Sequence, residues 1–285
     1  SEALFNIPGQ AIHQNREVND KCGFNTQTDM LPLVGDAEDA YSLVGGGNIA
    51  DADLYAVPAV KAYRSGAKGE LLVSPRIDNL TSVYASVRAI IDCDPSGVAV
   101  CACFDNEEIG SMTRQGARSS LLLSVLRKLN RALGKTDDDF LSAVDNGMLM
   151  SADNGHAVHP AHPEKSDPAH PATLGGGVLL KYNARQTYTT SGFTGAAFTA
   201  ICKKAGVPVQ VFANRADVPG GSTLGNLLGH QILMPMVDIG LGQLAMHSAM
   251  ETASCADAEY MAKAVAEYYN TPIFQPKDGE WKLGL

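Results

Sequence analysis

The chain has 285 residues and a mass of 30.0 kDa, with 45% apolar and only 19% charged residues, a composition that excludes disorder as the default and allows nearly two domains of ordinary size. Thirty-one acidic against 22 basic side chains give a net charge of -9 and a pI near 5.2; there is no broad cationic surface to neutralise phosphates, which argues against nucleic-acid or anionic-membrane partners. No apolar stretch approaches the ~18 residues of a spanning helix, no signal-peptide pattern opens the chain, and the six cysteines, at 22, 93, 101, 103, 202 and 255, make no C-x-x-C pair and read as buried reduced thiols of a cytoplasmic chain.

The first seventy residues alternate short apolar stretches (Ile12, Leu31 to Val34) with polar segments such as Gly45-Gly46-Gly47-Asn48, which predicts a small β-rich or irregular region full of turns. From Leu71 the pattern becomes α/β. Leu80, Val83, Tyr84, Val87 and Ile90-Ile91 follow helical spacing and stop at the turn Asp94-Pro95-Ser96-Gly97. Val98 to Phe104 is a continuous apolar run, predicted as a central strand buried on both faces. Ser119 to Leu133 presents another helical face, with Gly134 at the C-cap position. Further strands are predicted at Met148 to Ala152, Val207 to Ala213 and Met236 to Ile239, and further helices at Gly192 to Lys204, Thr223 to Gln231 and Ala256 to Tyr269. This alternation implies an α/β fold, a mostly parallel sheet flanked by helices.

In such sheets ligands bind at the carboxyl ends of strands. The run ending at Phe104 is followed at once by Asp105-Asn106-Glu107-Glu108, the run ending at Ala152 by Asp153, and the run through Asp238 by a loop containing His247; Asp78 stands just before a helix. Taken singly, each has a structural reading: Asp78 as an N-cap, Glu107-Glu108 as a solvated pair, Asp153 as a turn residue, His247 as a packed or surface histidine. Gathered in one cleft, the acids require a compensating cation. Four of the seven histidines, His156, His159, His162 and His170, fall within fifteen residues, which favours metal or anion chemistry over packing.

Several strings taken together resemble the aspartyl aminopeptidase family of co-catalytic zinc metallopeptidases. They are Ile7-Pro8 with Ala11-Ile12-His13, Pro75 to Leu80, Asp105 to Ser111, Ser151-Ala152-Asp153 with His156 to Pro160, Gly221 to Gly225, and Gln243 to Ser248. The resemblance implies a zinc-exopeptidase type of catalytic domain over residues 71–285, without its N-terminal portion. Residues 1–70 become the later part of a smaller β-rich inserted domain that serves oligomerisation. It implies two Zn²⁺ ions per active site, with Asp78 bridging them, Glu108 and His247 completing the shell of one, Asp153 serving the other, and Glu107 as general base. His156 and Tyr188 match positions that touch the substrate, and Lys181 matches a basic position suited to an acidic P1 side chain. His13 matches a residue offered to a neighbouring subunit, which implies a homo-oligomer, the family's tetrahedral dodecamer. The expected substrates are peptides with a free, preferably acidic, N-terminal residue. The family carries another metal-binding histidine upstream of the segment matching Ile7, and no residue here matches it, which leaves one metal with only Asp78 and Asp153. The family also often carries a basic residue near Gly176, where this chain reads Gly175-Gly176-Gly177. Other readings remain open: the same chemistry on neutral or apolar N-terminal residues, a truncated non-catalytic peptide-binding relative, or a serine hydrolase built on Ser222, for which the G-x-S-x-G elbow is missing.

Overall fold

The computed structural model describes residues 3–285 apart from residues 18, 19, 21, 22, 38, 46, 219 and 278; Cys22 and Gly46 therefore lie outside the described residues. The chain forms two units, Ser1–Lys61 and Ala62–Leu285. Among the described residues of the first unit none is buried. The regular structure among these described residues is one turn of 3-10 helix at Ser42–Val44 and a single bridge between Asn6 and Leu33.

The second unit runs β1 (Tyr63–Ser65), β2 (Leu71–Ser74), α1 (Ile77–Asp92), α2 (Leu121–Ala132), α3 (Asp137–Asp145), β3 (Leu149–Ala152) and β4 (Gly155–His156). There follow β5 (Val178–Lys181), α4 (Gly192–Ala205), β6 (Val209–Phe212), α5 (Leu224–Leu228), β7 (Met236–Gly240) and β8 (Gly242–Leu244). The chain closes with β9 (Glu251–Ser254), α6 (Cys255–Asn270), β10 (Ile273–Lys277) and β11 (Glu280–Leu283). One sheet has the order β3-β7-β5-β6, and the pairs β3/β7 and β5/β6 are parallel, as the alternation predicts, while β5/β7 is antiparallel. A second sheet, β1-β2-β9-β8-β4, is antiparallel except for β4/β8. β10 and β11 form a hairpin.

Helices cover both faces of the four-stranded sheet. On one side Ile77, Ala85 and Ala89 of α1, Phe198, Ile201 and Cys202 of α4, and Met261, Ala264 and Val265 of α6 pack on Val178, Leu180, Val237 and Ile239. On the other, Leu122, Phe140, Val144 and Leu228 gather around Met236. Burial of each large apolar side chain is worth about 1.5–3 kcal/mol, so these two clusters hold the layers together. Local chemistry sets the helix ends: capping boxes Thr136/Asp139 and Ser191/Thr194 start α3 and α4, and Gly206, with φ of 65°, ends α4 in the left-handed region. Asp78 and Asn79 are not helical, so the regular part of α1 starts at Leu80, where the apolar spacing begins.

Three expectations need correction. Val98 to Phe104 is not a strand. A strand needs a ladder neighbour, and among the described residues no backbone group of this run pairs with another backbone segment. Helix α5 is confined to Leu224–Leu228, shorter than predicted, with Gly225 inside it and Gly229 at its end. The described cysteines are free, but of these only Cys202 is buried, and Cys103 is exposed. No helix among the described residues is long and apolar enough to cross a membrane.

Candidate metal centre

Two strands carry the site from one sheet to the other. β3 continues through Asp153-Asn154 into β4, and β7 through Leu241 into β8. Asp153 N donates to Ile239 O (2.9 Å), Gly155 N to Leu241 O (3.0 Å) and Ala157 N to Gln243 O (2.9 Å), so the parallel pairing persists across the seam. The strands approach so closely that a Cβ at Gly240 would overlap the Asp153 carbonyl oxygen. Asp153 emerges at this seam.

Asn154, buried beside it, fastens α1 to the seam: its amide nitrogen lies 3.0 Å from Ile77 O, 2.9 Å from Thr81 Oγ1 and 2.7 Å from Gln243 Oε1. Asn79 Nδ2 donates to Ala152 O at 2.7 Å. These bonds fix the start of α1, where Asp78 projects with its side chain only 6% exposed. The Asp78–Asn79 peptide bond is cis.

Glu107 and Glu108 stand on a tight loop. Gly110 N donates to Glu107 O (2.9 Å) and Ser111 N to Asn106 O (2.9 Å), with φ of 62° at Asn106 and 59° at Ser111. The third segment is the β8–β9 loop, in which Ala245 and His247 also take positive φ, 56° and 66°. Left-handed backbone at non-glycine residues costs energy and clusters where geometry serves a site. His247 Nε2 lies 3.3 Å from Asp78 Oδ2 and 3.1 Å from Glu108 Oε2. One ligand atom from each of Asp78, Glu108 and His247 falls within 4.8 Å of the others.

The electrostatics are those of crowded anions. Burial pushes the Asp78 carboxyl up to about 7, with further contributions from the charges of Asp153, Glu108 and Glu251. Glu107 is raised by burial first and then by Asp153 and Glu108. The same four acids singled out in the sequence are thus close enough to repel one another, and a cation among them would remove that cost. Asp78 Oδ1 is buried with no hydrogen-bond partner among the described residues, and carboxylates with an imidazole form a donor set that suits Zn²⁺. The residues present therefore fit a zinc ion.

The expected substrate residues are placed unevenly. His156, on β4, is exposed, yet the protein packed about its ring and the charge of Lys181 hold its pKa below the usual imidazole value. Lys181, at the end of β5, is only 1% exposed. Its ammonium donates to Asp153 O (3.0 Å) and Asn154 O (2.9 Å), lies 3.5 Å from Asp153 Oδ2, and sits 4.8 Å from the Tyr188 ring centroid. Tyr188 is buried, and its hydroxyl accepts from Asn214 Nδ2 at 2.9 Å. His13 lies exposed in the first unit. Thr223 precedes α5 without capping it; its hydroxyl donates to the buried Asp238 (2.5 Å), which also accepts from Thr189 Oγ1 (2.7 Å). Three residues that sequence reading missed, Asn154, Asp238 and Glu251, act through backbone or loop contacts that no spacing discloses. Glu251, four residues beyond His247, accepts from the backbone N–H groups of both Asp78 and His247.

Residues 37–269 match the family described as aminopeptidase I zinc metalloprotease (M18). The chain is 37% identical over 278 residues to a probable M18 family aminopeptidase 2 of Clostridium acetobutylicum, a match that covers 93% of this chain and 64% of the relative, so the chain spans under two thirds of that protein's length. An M18 aminopeptidase structure from Thermotoga maritima superposes with a TM-score of 0.69 at 27% identity, over 75% of this chain and 49% of that one. A dodecamer of the S. cerevisiae mApe1 protein gives a TM-score of 0.63 at 26% identity, over 75% of this chain and 49% of that one.

Proposed function

The chain belongs to the aminopeptidase I (M18) family of zinc metalloproteases, and from that premise we propose that it serves the hydrolysis of N-terminal residues from peptides at the centre formed by Asp78, Glu107, Glu108, Asp153 and His247. The observation that carries the reading is the convergence of Asp78, Glu108 and His247 from three separate segments on one point. In this reading Asp78, Glu108 and His247 would hold one zinc ion, and Asp153 together with Asp78 would hold a second. When bound, zinc supplies Lewis acidity, polarising the scissile carbonyl and acidifying a water molecule.

The chain's own residues do the rest. Glu107, beside the metal ligands but outside the Asp78–Glu108–His247 set, takes a proton from the attacking water on a carboxylate oxygen and passes it to the departing amine. Its raised pKa brings it nearer to neutrality, where a group accepts and returns a proton with the least loss. His156, on β4 at the same seam, would donate a hydrogen bond to the substrate. Peptides with acidic N-terminal residues are the preferred substrates on the family resemblance. The burial of Lys181 favours a second reading, the same chemistry on neutral residues, because its ammonium is already committed to Asp153 and Asn154. We also read the protein as a homo-oligomer, in line with the dodecameric relative.

The test is Glu107→Gln. Hydrolysis of aminoacyl chromogenic substrates falls by about 10²–10⁴-fold, while zinc content by elemental analysis stays at the wild-type level. Retained turnover rejects Glu107 as base, and a wild-type chain that holds zinc but cleaves nothing points to a non-catalytic peptide binder. Running the same panel with Asp, Glu, Ala and Leu substrates separates the two specificities.

A further inference from the structure

Glu251 is a buried carboxylate, 2% exposed, on β9 opposite Ser74 of β2. Among the described residues it makes no ion pair. Its two oxygens are each spent on one backbone amide: Oε2 accepts from Asp78 N at 2.9 Å and Oε1 from His247 N at 2.7 Å. Those amides belong to two of the three residues whose ligand atoms converge. The geometry points to Glu251 as the positioning residue of the metal centre, a single carboxylate that clamps the backbones of Asp78 and His247 together so that their side chains meet at one ion; this rests on the zinc reading given above.

Three observations support it. His247 has a φ of 66° and Asp78 lies in the non-helical start of α1, so neither backbone is held by regular secondary structure, and the bonds to Glu251 supply what a ladder or a helix would have supplied. Burial of a second carboxylate next to Asp78 adds to the negative charge there, and anions crowded in a buried place are costly. A cation at Asp78, Glu108 and His247 offsets that charge, and the unpartnered buried Asp78 Oδ1 marks where such a contact is lacking. Glu251 is thus the outer partner that such centres use to orient their ligands, acting here on main-chain amides rather than on an imidazole N–H.

The experiment is a Zn²⁺ titration of the full, chelator-stripped chain against a competing chromogenic chelator, for the wild type, Glu251→Gln and Glu251→Asp. In Glu251→Gln an amide N–H₂ replaces one acceptor, so one of the two backbone N–H groups faces a donor. The expected result is a rise of about 10- to 100-fold in the dissociation constant, read at a temperature where circular dichroism shows the variant folded. Glu251→Asp keeps the charge but is one methylene shorter, and an intermediate rise is expected. A merely structural role lowers the melting temperature of the metal-free chain and leaves the affinity of the folded protein alone, and that outcome overturns the inference. If Glu251→Gln does not fold, unchanged affinity in Glu251→Asp overturns it equally. A wild type that binds Zn²⁺ without cleaving peptides rejects the peptidase reading and leaves Glu251 where it stands; a wild type that binds no Zn²⁺ overturns both.

Discussion

Lys181 reaches 1% exposure because its ammonium is satisfied on all sides, by two carbonyls, a carboxylate and the face of Tyr188. A long cationic side chain is almost never buried otherwise. Lys181→Met keeps the stem but leaves the Asp153 and Asn154 carbonyls unpaired and takes the cation from beside Asp153. The expected cost is about 2–5 kcal/mol, measured as a lower urea midpoint with an unchanged slope; a loss below about 0.5 kcal/mol, the ordinary surface value, would show that the ammonium contributes little. The same side chain marks what sequence could and could not disclose at this scale. Asp78, Glu107, Glu108, Asp153 and His247 were legible because they follow apolar runs or precede a helix in recognisable strings. The burial of Lys181 and the two-amide grip of Glu251 were not, because both depend on carbonyl and N–H groups that every residue carries alike.

Among the elements, the long helices were legible from their apolar spacing: α2, α4 and α6 lie within two residues of the predicted bounds, and α1 begins three residues ahead of the predicted Leu80 because its first residues include the non-helical Asp78 and Asn79. Strands β3, β6 and β7 were equally readable as short apolar runs. What spacing could not supply was the neighbour of each strand. It did not show that β3 and β7 leave one sheet as β4 and β8 of the other, nor that the five-stranded sheet is largely antiparallel. That seam depends on Gly240. Gly240→Ala forces its Cβ against the Asp153 carbonyl, and β3 must move away or Asp153 must turn. A loss of about 1–3 kcal/mol is expected, with a lower melting temperature; a variant as stable as the wild type would show that the seam yields freely.

Over the whole molecule, the two units differ in kind. Ala62–Leu285 has two helix-covered apolar clusters. The described part of Ser1–Lys61 has no buried residue, yet it displays Phe24, Leu31, Leu33, Tyr55 and Val57 at more than half of their full exposure. These exposed apolar side chains are what the homo-oligomer proposed above would cover. Light scattering is expected to give a mass that is a multiple of 30.0 kDa, and Phe24→Asp combined with Tyr55→Asp is expected to lower it. A wild type that stays at the single-chain mass at micromolar concentration would remove the oligomer from the reading. The turn-rich texture of this unit was visible in its Gly- and Asp-rich sequence, but the absence of buried side chains among its described residues was not, since its apolar content alone looks ordinary.

The unpaired run from Val98 to Phe104 has a consequence for how the protein behaves in the tube. Val98 is 68% exposed, and among the described residues the amides of this β-branched, uncharged segment are left without a backbone partner. Such a segment is a template for stacking between chains, the seed of cross-β fibrils. Thioflavin fluorescence of concentrated samples is expected to rise after a lag that shortens with protein concentration, and Val100→Lys is expected to lengthen that lag by placing a charge in the stack. Shelf life would then be set by seven residues outside the proposed set of metal ligands.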